Sequence, residues 1–339
     1  MPQFQEIFST FASSPLCFIA FLSALALMLV NGWTDAPVNI ATTIHSGAIG
    51  SKSAIILSAV CNLLGAITMA FMGSSVAINL YSISGLDSVK SNALNALTAS
   101  FISVVIWALF ALRFGLPTSE SHALMAALSG SAVAVNGIST VNGIEWLKAL
   151  LGILLSTVPV MAVAFLVANT FNRASTLPQS TFKKLQVVGA ALSSFSHGAQ
   201  DGQKLAGVLA LTAGLCANGE YSTVKVPFWT VLTSAFVISL GTLLGGREII
   251  KKFKEFAPTD PKAGFSSDLV SAVGLVMLAA LGLPASTTHA KSSAVLGAGL
   301  CHRRLSDQLK PFKSMALVWV LTFPASAVLG FLLTKILCG

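Results

Sequence analysis

The stretch GLPTSESHALMAALSGSAV at residues 115–133 returns in the second half of the chain as GLPASTTHAKSSAVLGAGL at residues 282–300. Both stretches open on Gly-Leu-Pro, and each carries a serine and a histidine at matched positions, offset by 167 residues. Both lie among strongly apolar segments. A polar motif that repeats at this distance indicates that the chain is built from two related halves.

A second pair of motifs repeats at nearly the same distance. NGWTDAPVNIAT at residues 31–42 matches SHGAQDGQKLAG at residues 196–207 through Gly32 with Gly198 and Asp35 with Asp201, at an offset of 166. Both offsets are close to half of the 339 residues. The repeat divides the chain into a first membrane repeat at 1–172, a cytoplasmic linker at 173–186 and a second membrane repeat at 187–339.

The composition indicates an all-α polytopic membrane protein. Hydrophobic residues make up 54% of the chain, charged residues only 9%, and the mean hydropathy is +0.81. A soluble chain carries about 25% charged residues. The net charge of +8 comes from short basic clusters between apolar runs. That placement is typical of cytoplasmic membrane loops and argues against a nucleic-acid partner.

We predict about ten crossings, because a helix needs roughly 20 apolar residues to span the bilayer core. The short segments at 118–137 and 283–300 follow a proline and are predicted to be re-entrant hairpins or broken helices. NGWTDAP is expected to interrupt the first segment, and the loop at 246–264 is expected to be a solvated connector. The ten segments are 16–48, 53–80, 92–113, 118–137, 146–172, 187–214, 226–245, 265–282, 283–300 and 314–337.

Five crossings in each half is an odd number, so the second half would enter the membrane in the opposite sense. This is an inverted-topology repeat, in which substrate and coupling ions bind near the midplane where discontinuous helices meet. The distribution of Lys and Arg favours both termini outside a cell membrane.

Charged residues within the apolar segments are functional candidates, because each costs about 2.5–3.5 kcal/mol even on a lenient insertion scale. Asp201 and Lys204 lie three residues apart and could form an ion pair within one helix. Lys291 could bind substrate directly or extend its amine to the membrane interface. His122 and His289 are expected to be packing histidines. The charged candidates are Asp35, Glu120, Asp201, Lys204 and Lys291.

The hydroxyl residues after the two prolines predict a cradle for an oxyanion. Two helix N-termini aimed at one point would present N–H groups, hydroxyls and positive dipole ends, which suits a tetrahedral anion. Asp35 and Asp201 would repel such an anion alone, so we expect them to hold a proton or a hard cation such as sodium. The alternative is that the hydroxyls only cap or pack helices. The hydroxyl candidates are Thr118, Ser119, Ser121, Ser286, Thr287 and Thr288.

These motifs resemble those of the Pit-type inorganic phosphate transporters, which carry a duplicated Gly-x-Asn-Asp-x-x-Asn signature and a Pro-x-Ser-x-x-His motif in each half. The counterparts here are GWTD at 32–35, GAQD at 198–201, PTSESH at 117–122 and PASTTH at 284–289. The resemblance implies symport of phosphate with sodium or protons, by a protein that is often a homodimer. It assigns the cation and phosphate site to Asp35 and Asp201, and phosphate contacts to Ser119, Ser121, Ser286, Thr287 and Thr288. To these we add Thr118, Gln200 and Lys204 as predicted substrate contacts and Thr34, Asn39 and Glu120 as predicted coupling residues.

The chain departs from the signature at several positions. Thr34 and Gln200 replace the Asn before each Asp, Val38 stands where the later Asn is expected, with Asn39 next to it, and Lys204 takes the matching place in the second half. These changes leave room for proton coupling and for a sulfate permease of the same fold. An intramembrane hydrolase is disfavoured, because duplicated Ser/His motifs suit a two-fold binding site better than one asymmetric catalytic centre. No cofactor motif is visible, and we predict no metal other than a transported sodium ion.

Overall fold

The computed structural model describes residues 14–70, 92–218, 226–281, 283, 285–302 and 304–339, and no β-strand occurs among them. Pro284 of the second hairpin motif, and the end of the predicted segment 53–80, lie outside the described residues. The helices are α1 (Pro15–Thr34), α2 (Pro37–His45), α3 (Ser51–Ala70), α4 (Ala93–Arg113), α5 (Glu120–Asn136), α6 (Gly143–Ala174), α7 (Gln179–Asn218), α8 (Phe228–Leu243), α9 (Arg247–Phe253), α10 (Pro261–Ala280), α11 (Thr287–Gly299) and α12 (Leu305–Cys338).

Within these ranges six helical segments are long and apolar enough to cross a membrane, and a seventh arises if the bent pair α8 and α9 counts as one span. Helices α5 and α11 are not among them. At 1.5 Å per residue they are about 25 and 20 Å long, short of the roughly 30 Å hydrocarbon core. Helix α7 is long enough to cross but has no stretch that is apolar and uncharged enough to be counted as a span. The six spans are Pro15–His45, Ser51–Thr68, Ala93–Arg113, Gly143–Ala174, Pro261–Ala280 and Phe312–Cys338.

The first repeat opens with a broken helix, as NGWTDAP predicts. Helix α1 ends at Thr34, and α2 begins at Pro37. Proline has no N–H, and its ring collides with the carbonyl four residues earlier, here that of Trp33. The matching motif of the second repeat shows no such break, because α7 is continuous from Gln179 to Asn218. The break in the first repeat leaves Asp35 at a helix terminus.

The two halves pack by exchange of equivalent elements. Helix α5 packs against α12, the last helix of the other half, and α11 packs against α6 in the same way. Gly130 of α5 lies so close to the backbone of Ala327 that no side chain would fit there, and Gly297 of α11 meets the backbone of Met161 likewise. Gly297 and Ala327 follow Gly130 and Met161 by 167 and 166 positions, the offsets of the sequence repeat. The contacts are therefore related by a two-fold exchange, and the inverted sense of the second half stays a prediction.

The short helices α5 and α11 form the centre, and the long helices α6 and α12 form the outside. Every residue of α11 is buried. Helix α6 exposes apolar side chains at helical spacing, among them Leu147, Leu150, Leu154 and Val158. An exposed apolar stripe of this length is suited to lipid rather than water. The polar motifs of both halves are thus enclosed by apolar helices.

Two expectations about connectors change. Only residues 175–178 of the predicted linker 173–186 separate α6 from α7, and Phe182 within α7 is buried. The expectation that 246–264 is a solvated connector is wrong. Helix α9 buries Ile249, Ile250 and Phe253 in an apolar cluster, while its lysines face outward. The lysines led to the expectation of a solvated loop, although the segment forms an amphipathic helix whose apolar positions lie on one face.

Candidate functional site

The two repeated carboxylates meet at one buried point. The side-chain amide of Asn31 donates to Asp35 Oδ2 and to Asp201 Oδ2, each at 3.4 Å. Asp35 caps the end of α1 at the helix break, whereas Asp201 lies within α7. Around this bridge lies what we call the central site. Its members are Asn31, Thr34, Asp35, Glu120, Ser121, His197, Gln200, Asp201, Lys204, Thr287 and Thr288.

The N-terminus of α11 supplies a hydroxyl to each carboxylate. Thr288 Oγ1 donates to Asp35 Oδ1 at 2.9 Å, and Thr287 Oγ1 donates to Asp201 Oδ2 at 3.3 Å. Adjacent residues point to different carboxylates because they start a helix, where successive side chains diverge by about 100°. The second hairpin therefore contacts the carboxylates of both repeats, and the predicted role of Thr287 and Thr288 as phosphate contacts stays a prediction.

Glu120 brings a third carboxylate from the first hairpin. It is the first residue of α5, its Oε1 accepts a hydrogen bond from Thr34 Oγ1, and its Oε2 has no hydrogen-bond partner among the described residues. Within the described part of the chain, neither Asp35 nor Glu120 forms an ion pair with Lys, Arg or His. The first repeat therefore holds two buried carboxylates without a basic partner.

Asp201 is paired differently, because Lys204 lies one turn along α7. Lys204 Nζ donates to Asp201 Oδ1, to Ser121 Oγ and to the carbonyl of Ala285, each at 2.8 Å. The ion pair that the sequence offered as one alternative is thus formed. An ammonium has three donors, and all three are used here. Lys204 was predicted to bind substrate, but it has no donor left for a further ligand in this arrangement.

A histidine completes the set on α7. His197 Nε2 lies 3.4 Å from Asp201 Oδ2, and its Nδ1 lies 3.1 Å from Asn62 Oδ1. Ligand atoms of Asp35, His197 and Asp201 all lie within 4.8 Å of one another. Two carboxylate oxygens and one imidazole nitrogen at this spacing could hold a cation.

The two hairpin serines act as helix caps. Ser119 Oγ accepts from the N–H of His122 at 3.4 Å, and Ser286 Oγ accepts from the N–H of His289 at 3.2 Å. Capping uses an acceptor lone pair and leaves the hydroxyl hydrogen available to donate. The first N–H groups of α5 and α11 have no carbonyl within their own helix. Both helices therefore present donors toward the central site.

Several buried polar groups of the repeated motifs lack partners among the described residues. They include Thr118 Oγ1 and both amide atoms of Gln200, which is fully buried. Buried polar groups in proteins are nearly always hydrogen-bonded, so a set of unpaired donors indicates a place for a polar ligand or water. Thr118 and Gln200 were both predicted as substrate contacts; Thr118 is next to Ser119 in the sequence, and Gln200 is next to Asp201.

The histidines of the two hairpins pack against each other. The rings of His122 and His289 have centroids 4.7 Å apart, and the His289 ring lies 3.9 Å from that of Trp319. Trp319 Nε1 in turn donates to the carbonyl of Pro117 at 3.2 Å. The two rings pack and join the hairpins, but their four buried ring nitrogens have no hydrogen-bond partner among the described residues, unlike those of the satisfied histidines that the sequence led us to expect.

One predicted coupling residue lies apart from the carboxylates. Asn39 Oδ1 accepts from Ser193 Oγ at 2.9 Å, so its side chain contacts α7 about two turns before Asp201. The structure brings together Asp35, Asp201, Thr34 and Glu120 from the same predicted set, and it gives Asn39 a separate contact.

Sequence reasoning missed a second buried charge cluster. Asp268 on α10 forms an ion pair with Lys291 on α11 and accepts hydrogen bonds from Thr42 Oγ1 at 2.9 Å and Thr43 Oγ1 at 3.3 Å. The interpretation that Lys291 reaches the membrane interface is wrong, because both charged side chains are fully buried. Asp268 is an acid in an apolar segment, so the insertion cost that selected Asp35 would also have selected it.

Comparison with known proteins supplies the context for this geometry. The sequence profile described as PHO4, phosphate transporter family, matches residues 31–178 and 167–330. A "Probable low-affinity inorganic phosphate transporter" of Bacillus subtilis (strain 168) is 32% identical over 326 residues, covering 93% of this chain and 95% of the relative. The "Sodium-dependent phosphate transporter 1" of Pongo abelii is 32% identical over 151 residues, covering 44% of this chain and 22% of the relative.

A solved structure of a sodium-dependent phosphate transporter is similar to the whole chain. The TM-score is 0.80 at 22% sequence identity, and the match covers 96% of this chain and 99% of the other. At this identity the match shows the fold. It agrees with the all-helical, multi-span architecture that the composition predicted.

Proposed function

Because this chain belongs to the PHO4 phosphate transporter family, we propose that it carries inorganic phosphate across a cell membrane by cation-coupled symport at the central site. The family consists of transporters and not of enzymes, and the chain is a multi-pass membrane protein. The sodium-dependent relative from Pongo abelii supports a cation as the coupling partner. Protons are the alternative cation.

Phosphate binding is supported by the donors at the two hairpins. The N-termini of α5 and α11 approach the same buried region, because Glu120 accepts from Thr34 and Thr288 donates to the adjacent Asp35. Thr118 in the first hairpin and Gln200 next to Asp201 have buried polar atoms without a partner among the described residues. Helix N-termini bind phosphate because their free N–H groups and dipole favour an anion. Ser119 and Ser286 can add hydroxyl donors beyond their cap bonds. The proposed anion site therefore joins elements of both repeats.

Cation coupling is supported by one observation above all, the buried pair of Asp35 and Glu120. These carboxylates have no basic partner among the described residues, and a phosphate dianion beside them would add further negative charge. Buried charge of one sign is unstable unless it is paired. Cations or protons that enter with phosphate would provide the pairing, so that neither ion binds well without the other. This mutual dependence is the physical basis of symport.

The decisive experiment is uptake by proteoliposomes that contain the purified protein. We expect uptake of radiolabelled phosphate to rise when a sodium or pH gradient is imposed, and labelled sulfate under the same gradients to remain at background. Sulfate uptake without phosphate uptake would overturn the assignment of phosphate as the substrate. Phosphate uptake at the same rate with and without either gradient would overturn the coupling.

A variant and a matched control assign the coupling to the buried pair. Glu120→Gln removes one of the two unpaired carboxylates and is expected to abolish gradient-driven uptake. Glu248→Gln changes an exposed carboxylate on α9 and is expected to leave uptake as in the wild type. Equal uptake by both variants would remove Glu120 from the mechanism.

The outward position of both termini and a homodimeric state stay predictions.

A further inference from the structure

Lys204 has the surroundings of a bound cation. Its Nζ lies 2.8 Å from each of three oxygens, which are a carboxylate oxygen of Asp201, the hydroxyl of Ser121 and the carbonyl of Ala285. These oxygens come from α7, from the first turn of α5 and from the segment before α11. Lys204 is 4% exposed. A mixed set of carboxylate, hydroxyl and carbonyl oxygens is typical of the ligands that hard cations prefer.

The matching place in the first repeat holds no such charge. Val38 precedes Lys204 by 166 positions and lies in an apolar cluster. Asp35, the partner of Asp201 in the repeat, is instead hydrogen-bonded by Thr288 and Asn31. Asp201 therefore has a lysine ammonium as its partner, whereas Asp35 has no basic partner among the described residues.

A direct role of Lys204 in phosphate binding does not fit its contacts. The three N–H donors of the ammonium are all engaged with protein oxygens. Binding of phosphate by Lys204 would require one of those bonds to break and would weaken the only ion pair that Asp201 forms with a lysine among the described residues. The geometry thus favours a fixed charge over a mobile ligand.

We propose that the ammonium of Lys204 acts as a built-in cation, which permanently fills at Asp201 the place that a dissociable coupling cation fills at Asp35 and Glu120. The inference rests on the proposed function of cation-coupled phosphate transport. Coupling then depends on the unpaired carboxylates of Asp35 and Glu120, and the protein moves one cation fewer per phosphate than it would with an uncharged residue at position 204.

The test measures n, the number of cations moved per phosphate, from the membrane potential at which net phosphate flux reverses in proteoliposomes. Sodium gradients and pH gradients are used in separate series. Lys204→Gln removes the fixed charge, and we expect n to rise by one. Lys291→Met is the matched control, since it removes another buried lysine that pairs with an aspartate but lies outside this set of oxygens. We expect that control to keep the wild-type n.

A charge-neutral double variant, Asp201→Asn with Lys204→Gln, is measured in parallel, because Lys204→Gln alone leaves Asp201 without its ammonium partner. Here the carboxylate and the fixed cation are both gone, and we expect n to equal that of the wild type. For a variant that transports too slowly, phosphate binding to the purified protein is titrated calorimetrically at several sodium concentrations and pH values. We expect the apparent number of cations that bind with each phosphate to be one higher in Lys204→Gln than in the wild type and in the double variant.

The outcomes separate the two proposals. An unchanged n in Lys204→Gln, or loss of phosphate binding at every cation concentration in both Lys204 variants, would overturn the built-in cation. The second result would make Lys204 a phosphate ligand. Absence of gradient-dependent phosphate uptake in the wild type would instead overturn the proposed function.

Discussion

The motif regions 31–42 and 196–207 descend from one pattern but differ in backbone and in charge. In the first, Pro37 ends the helix and Asp35 lies at the break. In the second, Gln203 stands in place of that proline, α7 continues, and Lys204 can reach back one turn to Asp201. Two residues make this difference: Pro37 leaves Asp35 at a helix terminus, and Val38, which stands where the second repeat has Lys204, leaves that carboxylate without an ammonium partner.

A second contrast concerns the buried ion pair of the second repeat. Asp268 and Lys291 form a buried ion pair in the second repeat, whereas the matching positions, 167 residues earlier, hold Phe101 and Leu124 in an apolar cluster. The hydroxyl partner Thr43 likewise corresponds to Leu209 of that cluster. The two-fold exchange of helices is therefore preserved while the chemistry at equivalent positions is not.

The largest expected effect compares the two repeated carboxylates. Asp35→Asn should abolish gradient-driven phosphate uptake and leave the free energy of unfolding nearly unchanged, because no basic residue loses its partner. Asp201→Asn should lower the free energy of unfolding by about 3–5 kcal/mol as well, because it strands the buried Lys204 ammonium. Proteoliposome uptake and chemical denaturation in detergent measure the two quantities. Equal stability loss in both variants would show that the repeats are equivalent after all.

The second effect concerns the ion pair that has no counterpart in the first repeat. Asp268→Asn should destabilise the fold by about 3–5 kcal/mol, because the Lys291 ammonium stays buried without its carboxylate. The double change Asp268→Asn with Lys291→Met removes both charges and should recover most of that loss. Denaturation of the wild type, both single variants and the double variant gives the coupling energy. Additive losses would mean that the two side chains do not stabilise each other.

The fold followed from the sequence more completely than the site. Hydropathy predicted the apolar spans, and the motifs predicted the break at NGWTDAP and segments after the two prolines that differ from plain crossings, because these depend on local composition and on proline. The pairing of Asp201 with Lys204 is local and could be read from the sequence, but the occupation of the other two Lys204 donors depends on the distant residues Ser121 and Ala285, which only folding brings to it. The helix α9 was missed because its apolar residues are few and lie between lysines.

The third effect would transfer the helix break from one repeat to the other. Gln203→Pro should destabilise the protein by about 3 kcal/mol or more, because the ring would collide with the carbonyl of Ala199 inside α7. Gln203→Ala is the control, since alanine keeps the N–H and favours the helix. The free energy of unfolding and the helical circular dichroism signal are compared between the two variants. If Gln203→Pro matched Gln203→Ala in both, the motif of the second repeat would tolerate the same break as the first.

The smallest effect tests where the repeats are most alike, at the caps of α5 and α11. Ser119→Ala and Ser286→Ala should each lower the free energy of unfolding by about 1 kcal/mol, because each removes one cap bond of nearly equal length. Glycine at a cap costs only a few tenths of a kcal/mol, so Ser119→Gly and Ser286→Gly remove the hydroxyl while largely keeping stability. A raised KM for phosphate in the glycine variants would therefore report a lost anion contact rather than a frayed helix. An unchanged KM in both would confine these serines to capping and leave the anion to the backbone N–H groups, Thr118 and Gln200.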